Sequence, residues 1–127
     1  LGRLDEAKAW LDQASAFYQK EGLTDLAGAV YEELARYWVS VQDLNAAAAE
    51  CRAGLALMPT GVQTVVSLRL EVMLGTIERN MDNPAGDERL RWAAGGLLSL
   101  GQGHEVLSIV DYLLHEAKNP EREVRTS

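Results

Sequence analysis

The chain has 127 residues, with 12 Lys+Arg against 19 Asp+Glu for a formal charge of −7, and 47% of it is hydrophobic. That is enough chain to bury one core. The acidic balance argues against this segment gripping nucleic acid or an anionic membrane, because both need clustered Lys and Arg. Leu (19) and Ala (17) dominate over Pro (3) and the 6% of aromatics, which predicts an all-α protein, since Leu and Ala are strong helix formers.

Leu4, Ala7, Leu11, Ala14 and Tyr18 recur at spacings of three and four and predict a helix from Leu4 to Lys20, ended by Gly22. Thr24 is placed to cap a second helix whose Leu26, Val30, Leu34, Tyr37, Trp38 and Val41 make a broad apolar face. Asp43 caps a third, with Leu44, Ala47, Ala48, Cys51, Leu55 and Met58 as its stripe until Pro59 stops it. A fourth helix is predicted from Thr60 or Gly61 to Asn80. It is apolar on nearly every face and should lie centrally. After the loop signal Asp82-Asn83-Pro84-Ala85-Gly86, a fifth spans Asp87 to Leu100, with Leu90, Ala93, Ala94, Leu97 and Leu98 inward. Gly95-Gly96 inside it costs about 1 kcal/mol per glycine relative to Ala, so another helix backbone should approach there. Gly101-Gln102-Gly103 turns into a sixth helix with Val106, Leu107, Val110, Leu113, Leu114 and Ala117 as its stripe. Asn119-Pro120 ends it, and Glu121 to Ser127 form a frayed polar tail.

The second and third helices carry a repeat pattern: Tyr31, Leu34, Ala35 and Trp38, then Leu44, Ala47, Cys51, Gly54 and Pro59. Their types and spacings resemble a tetratricopeptide repeat running from about Gly28 to Thr60. Small Ala35 and Ala47 let the paired helices cross closely while the larger residues fill the space around them. Gly2, Leu4, Ala7, Leu11 and Ala14 resemble the second half of such a repeat. A weaker match runs through Trp92, Gly95, Gly96, Gly103, Ser108, Tyr112 and Pro120, with Ser99 and His115 departing from it. Ala7 and Ala47 lie about 40 positions apart, beyond the ~34 of the usual repeat. Short loops favour six alternating antiparallel helices, in which the fourth and fifth pair. The resemblance implies antiparallel hairpins stacked as a solenoid over residues 1–120, apparently cut from a longer array. Long, Ala-rich repeats opening on a Gly-Arg-Leu-Asp-Glu-Ala turn also resemble the helical-repeat regions of large bacterial transcription regulators.

No catalytic or metal constellation stands out. His104 follows a turn glycine with no Ser, Cys or Asp at an orienting spacing. His115 and Asp111 read as a surface pair. Cys51 sits on an apolar stripe as a small hydrophobe, and a single cysteine fits a reducing, cytoplasmic setting. Apolar stretches such as Leu55 to Met58 are far shorter than the ~20 residues of a membrane span. Trp38 is expected in the core and Trp10 off the main stripe of its helix. In tetratricopeptide proteins ligands lie on the concave surface made by the first helices of each pair, where Ala29, Glu32, Arg36 and Val39 would project. Glu32 departs from the Lys/Asn carboxylate-binding version. The residues expected to touch a partner are Glu32, Arg36 and Ser40.

The expected role is a non-enzymatic, cofactor-free module for protein–protein interaction, whose partner is a protein or peptide. A peptide- or ligand-sensing domain of a bacterial transcription regulator is the alternative. Self-association through uncapped repeat faces is expected as well, because the opening half-repeat leaves an apolar side open.

Overall fold

The computed structural model describes residues 2–59 and 61–117, with side chains through Tyr112. The described residues form six helices and no strand: α1 (Gly2–Lys20), α2 (Thr24–Ser40), α3 (Leu44–Leu57), α4 (Val65–Asn80), α5 (Ala85–Ser99) and α6 (Gly103–Ala117). The chain is all-α. The predicted ends of α6 at Asn119-Pro120 and the tail at 121–127 lie outside the described residues.

Four of the five connections use one turn. After α1, α2, α4 and α5, the second residue past the helix is left-handed: Gly22, Gln42, Asp82 and Gly101, with φ of 73°, 63°, 58° and 78°. The next N–H in each case reaches back five residues, as Leu23 does to the Tyr18 carbonyl and Asp43 to that of Trp38, both at 2.9 Å. Such a turn satisfies the last carbonyls of the helix and reverses the chain. Sequence reading located the two glycine versions. Gln42 and Asp82 hold the same conformation at a steric cost of about 1–2 kcal/mol each.

The α3–α4 connection differs. Pro59 and left-handed Gly61 carry an extended stretch, and α4 starts at Val65, later than the predicted Thr60 or Gly61. Thr64 decides this start: its Oγ1 accepts from the Ser67 N–H while Ser67 Oγ accepts from the Thr64 N–H, both at 3.0 Å. That reciprocal pair satisfies two otherwise orphaned donors. Asp43 caps α3 as predicted, accepting from the Ala46 N–H at 3.0 Å. Thr24 does not cap α2; it is the first helical residue, and Leu23 holds the cap position without a side-chain bond.

The most extensive helix contacts are α2 with α3 and α4 with α5. α1 packs on α2, α6 packs on α5, and α4 also touches α2 and α3. α4 is therefore central, and it contributes to both cores. Leu74 and Ile77 join Ala35, Ala47, Ala48 and Cys51 between α2, α3 and α4, with Trp38 packed alongside. Leu68 joins Leu90, Ala93, Leu97 and Ile109 between α4, α5 and α6.

Several residues predicted inward face out. Leu98 is 63% exposed and Leu107 is 70% exposed, with Val110, Leu4, Ala7, Leu26 and Val41 also exposed. Among the described residues α1 packs chiefly against α2 and α6 against α5, so only part of the apolar surface of each is covered. Trp92 is exposed too, which removes it as the core residue of a repeat starting at α5. Gly95 meets nothing within 4 Å. Gly96 is buried, and a Cβ on it would stand 2.8 Å from the Leu68 side chain of α4, so that helix does approach there, by a side chain; the backbone-to-backbone approach lies between Gly75 and Gly86.

Candidate functional site

A groove of about 740 Å³ runs along one side of the molecule, lined chiefly by α2, α4 and α6. Its residues recur every four positions: Glu32, Arg36 and Ser40 on α2; Val72, Thr76 and Asn80 on α4; His104, Ser108 and Tyr112 on α6. Four is close to the helical repeat of 3.6, so each set forms a single stripe. The turns set this geometry. By reversing the chain after every helix they return α2, α4 and α6 to one side, with α3 and α5 intervening. Val39, Leu44, Val72 and Met73 supply the accessible apolar lining over a floor of buried Ile77, Leu90, Leu97 and Ile109, and all three helices contribute polar side chains.

Glu32 anchors the α2 edge. Its carboxylate, 8% exposed, accepts from Arg36 Nη2 at 2.6 Å and from Arg69 Nη2 at 3.0 Å. The second bond ties α2 to α4. Arg36 also pairs with exposed Glu33. The two arginine side chains remain 47% and 42% exposed, so they stay open to solvent at the groove while Glu32 fixes where they stand. With the arginine sides open to solvent these pairs are partly screened, and they orient the arginines while satisfying the buried carboxylate.

Of the residues expected to meet a partner, Glu32, Arg36 and Ser40 come together on this face, along with Val39. They are not equally available. Glu32 is buried and committed to its arginines, whereas Arg36 is open. Ser40 is exposed, but its hydroxyl donates to the Tyr37 carbonyl at 2.6 Å. Ala29 does not line the groove. Arg69, Thr76, Asn80, Ser108 and Tyr112 were not among the expected site residues, and His104 was set aside for want of an orienting Ser, Cys or Asp. His104 is exposed at the α6 edge, 4.0 Å from the Glu105 carboxylate. The spacing of four between Thr76 and Asn80 on α4 and among His104, Ser108 and Tyr112 on α6 was the available signal.

At the far end the Arg79 guanidinium stands 5.7 Å from the centre of the Tyr112 ring, a cation–π geometry that joins α4 to α6. Behind the groove, α5 is locked to α4 through Arg89. Its Nε donates to Glu78 at 2.7 Å and its Nη1 to Glu71 at 2.7 Å. Burial disfavours the Arg89 charge, but the two carboxylates outweigh that effect and hold its pKa above the ordinary value.

Among the described residues no group of three or more His, Cys, Asp or Glu could hold a metal ion. The paired side chains of His115 and Asp111 cannot be placed together, because His115 lies outside the described side chains. Cys51 is fully buried, and desolvation pushes its thiol up to about 12. A thiol so placed is a core residue and a poor nucleophile. Thiol reagents should therefore label the native chain far more slowly than the unfolded one, with labelling following the urea unfolding curve. Rapid labelling without denaturant would contradict this packing.

Trp10 is largely exposed on α1, as its place off the main stripe suggested. Trp38 is half-buried, with the Tyr37 ring edge-on at 5.0 Å and the Lys8 ammonium 5.9 Å from its centre. No described helix is long and apolar enough to cross a membrane. No protein-family model, curated protein or solved structure matches this chain.

Proposed function

We propose that this chain is a non-enzymatic helical-repeat module whose hairpins stack as a tetratricopeptide-like solenoid, and which binds a peptide or extended protein segment in the groove between α2, α4 and α6. The observation that carries the reading is that groove: three alternate helices present regularly spaced polar side chains around an apolar lining. Apolar side chains of a bound segment would sit on Val39, Val72 and Met73, and its polar groups would meet Arg36, Arg69 and Asn80. The module would act in the cytoplasm, in keeping with a single cysteine kept reduced in the core.

Photo-crosslinking from the intact chain tests the proposal. A photoreactive residue at Val39 or Thr76 should trap a partner segment, identified by mass spectrometry, while the same residue at exposed Trp92 should not. Val39→Glu should lower the trapped yield from Thr76 about tenfold, equivalent to roughly 1.4 kcal/mol. Adducts from Trp92 alone would place binding on another face and overturn the reading.

The ligand-sensing alternative, as part of a bacterial transcription regulator, draws support from the groove volume, which lies within the ~300–1,000 Å³ of small-molecule sites. It would show as a small molecule that raises the melting temperature while leaving the Val39 probe without a protein adduct.

A further inference from the structure

We propose that the segment bound in this groove carries one carboxylate side chain, an Asp or Glu among apolar residues, and that Arg36 and Arg69 receive it. The inference deepens the peptide-binding reading above and rests on it.

The two arginines come from different helices and meet at one atom. Arg36 Nη2 on α2 and Arg69 Nη2 on α4 both donate to Oε2 of Glu32, at 2.6 Å and 3.0 Å. Arg36 Nη1 turns to Glu33, an exposed residue that is not part of the groove lining. Among the described residues Arg69 has Glu32 as its carboxylate partner, and its Nε and Nη1 are left to donate elsewhere. These four charges sum to zero, but they are not equally placed. Both positive groups line the groove and are exposed, whereas one carboxylate is buried beneath them and the other stands outside the lining.

What α2 and α4 offer a ligand is therefore a pair of cations held in position. A carboxylate meets a guanidinium through charge-assisted hydrogen bonds, roughly twice as strong as those made by a neutral carbonyl. The other carboxylate in the lining is Glu105, half-buried on α6 beside exposed His104. It repels a second negative charge at that edge, which leaves the arginine side as the place for one.

The rest of the segment follows from what adjoins the arginines. Val39 lies three residues past Arg36, and Val72 and Met73 lie three and four past Arg69, so on each helix the apolar surface continues the arginine's own face. A residue bound between the arginines places its neighbours on that surface. The charge of −7 on the whole chain disfavours a run of acidic residues, so the fit is to a single carboxylate in an otherwise uncharged segment.

Photo-capture by the 127-residue chain carrying a photoreactive residue at Thr76 tests this. The probes are pools of short peptides of Leu, Val, Ser and Gly in random order around one fixed central residue: Glu, Gln or Lys. The wild type should capture the Glu pool about fivefold better than the Gln pool, and the Lys pool least. Arg69→Gln should bring the Glu pool down to the level of the Gln pool while leaving capture of the Gln pool unchanged, because Arg36 still satisfies Glu32. Arg36→Gln, with Arg69 left on Glu32, is the second variant and should also erase the preference. Equal capture of the three pools by the wild type would overturn the carboxylate assignment and leave peptide binding standing. A Glu preference that survives both substitutions, or variants that lose all pools in proportion, would overturn it too, since the arginines would then not be reading the charge. Capture of no pool would overturn it together with the peptide-binding reading itself.

Discussion

Replacing Gly86 with alanine is expected to destabilise the chain by about 2 kcal/mol through overpacking, whereas the same replacement at Gly95 is expected to stabilise it by up to about 1 kcal/mol. Both glycines lie within α5, where alanine has the better intrinsic propensity. Their surroundings separate them. A Cβ on Gly86 would stand 2.6 Å from the Gly75 carbonyl oxygen and 2.8 Å from the Arg79 backbone nitrogen. Backbone atoms cannot rotate away as a side chain can, so α4 and α5 would have to move apart. Their separation would also disturb Leu90, which packs at the same crossing. Gly95 has open space, so alanine there reduces the freedom of the unfolded chain without a clash. Urea unfolding of the two variants measures both effects. A Gly86→Ala protein as stable as the wild type would show that α4 and α5 do not cross where the structure has them.

Arg89→Met should cost about 3 kcal/mol, the magnitude expected when a buried pair loses one member. Glu78 is only 6% exposed and Glu71 15%, and Arg89 is their shared cation. Its removal leaves two carboxylates on α4 facing an apolar side chain, with Glu78 shielded from solvent and Glu71 only partly open to it. The cost arises from the stranded charges, so combining Arg89→Met with Glu78→Gln should recover much of the loss. Thermal and urea unfolding of the single and double variants give the comparison. If Arg89→Met unfolds at the wild-type urea concentration, the network is solvated and contributes little. If the double variant is no better than the single, the loss lies in the packing of the arginine stem.

Helix number and type were legible in local patterns. The stripe Leu44, Ala47, Cys51 with its Asp43 cap, and the punctuation at Gly22 and Gly101, depend on residues within one or two turns of each other. The start of α4 was less so, because Thr64 and Ser67 make a reciprocal cap that competes with the glycine–proline signals before it. Apolar periodicity also overstated burial. Leu98 and Leu107 belong to stripes of the right spacing but have no helix opposite them. Part of the groove could be read in advance. Glu32, Arg36 and Ser40 share a face by spacing alone, yet Arg69 reaches Glu32 from 37 positions away, and no local pattern announces that bond.

An acidic, all-α chain of six helices with reversing turns was determined by the sequence itself, because propensity, capping and helix-breaking residues act over a few neighbours. Tertiary structure decided which glycine carries the close crossing, which apolar residues remain open at α1 and α6, and how α2, α4 and α6 share a groove. Those outcomes depend on where distant helices lie against one another. Two glycines of equal propensity, or two leucines on equal stripes, differ only in what stands on the other side.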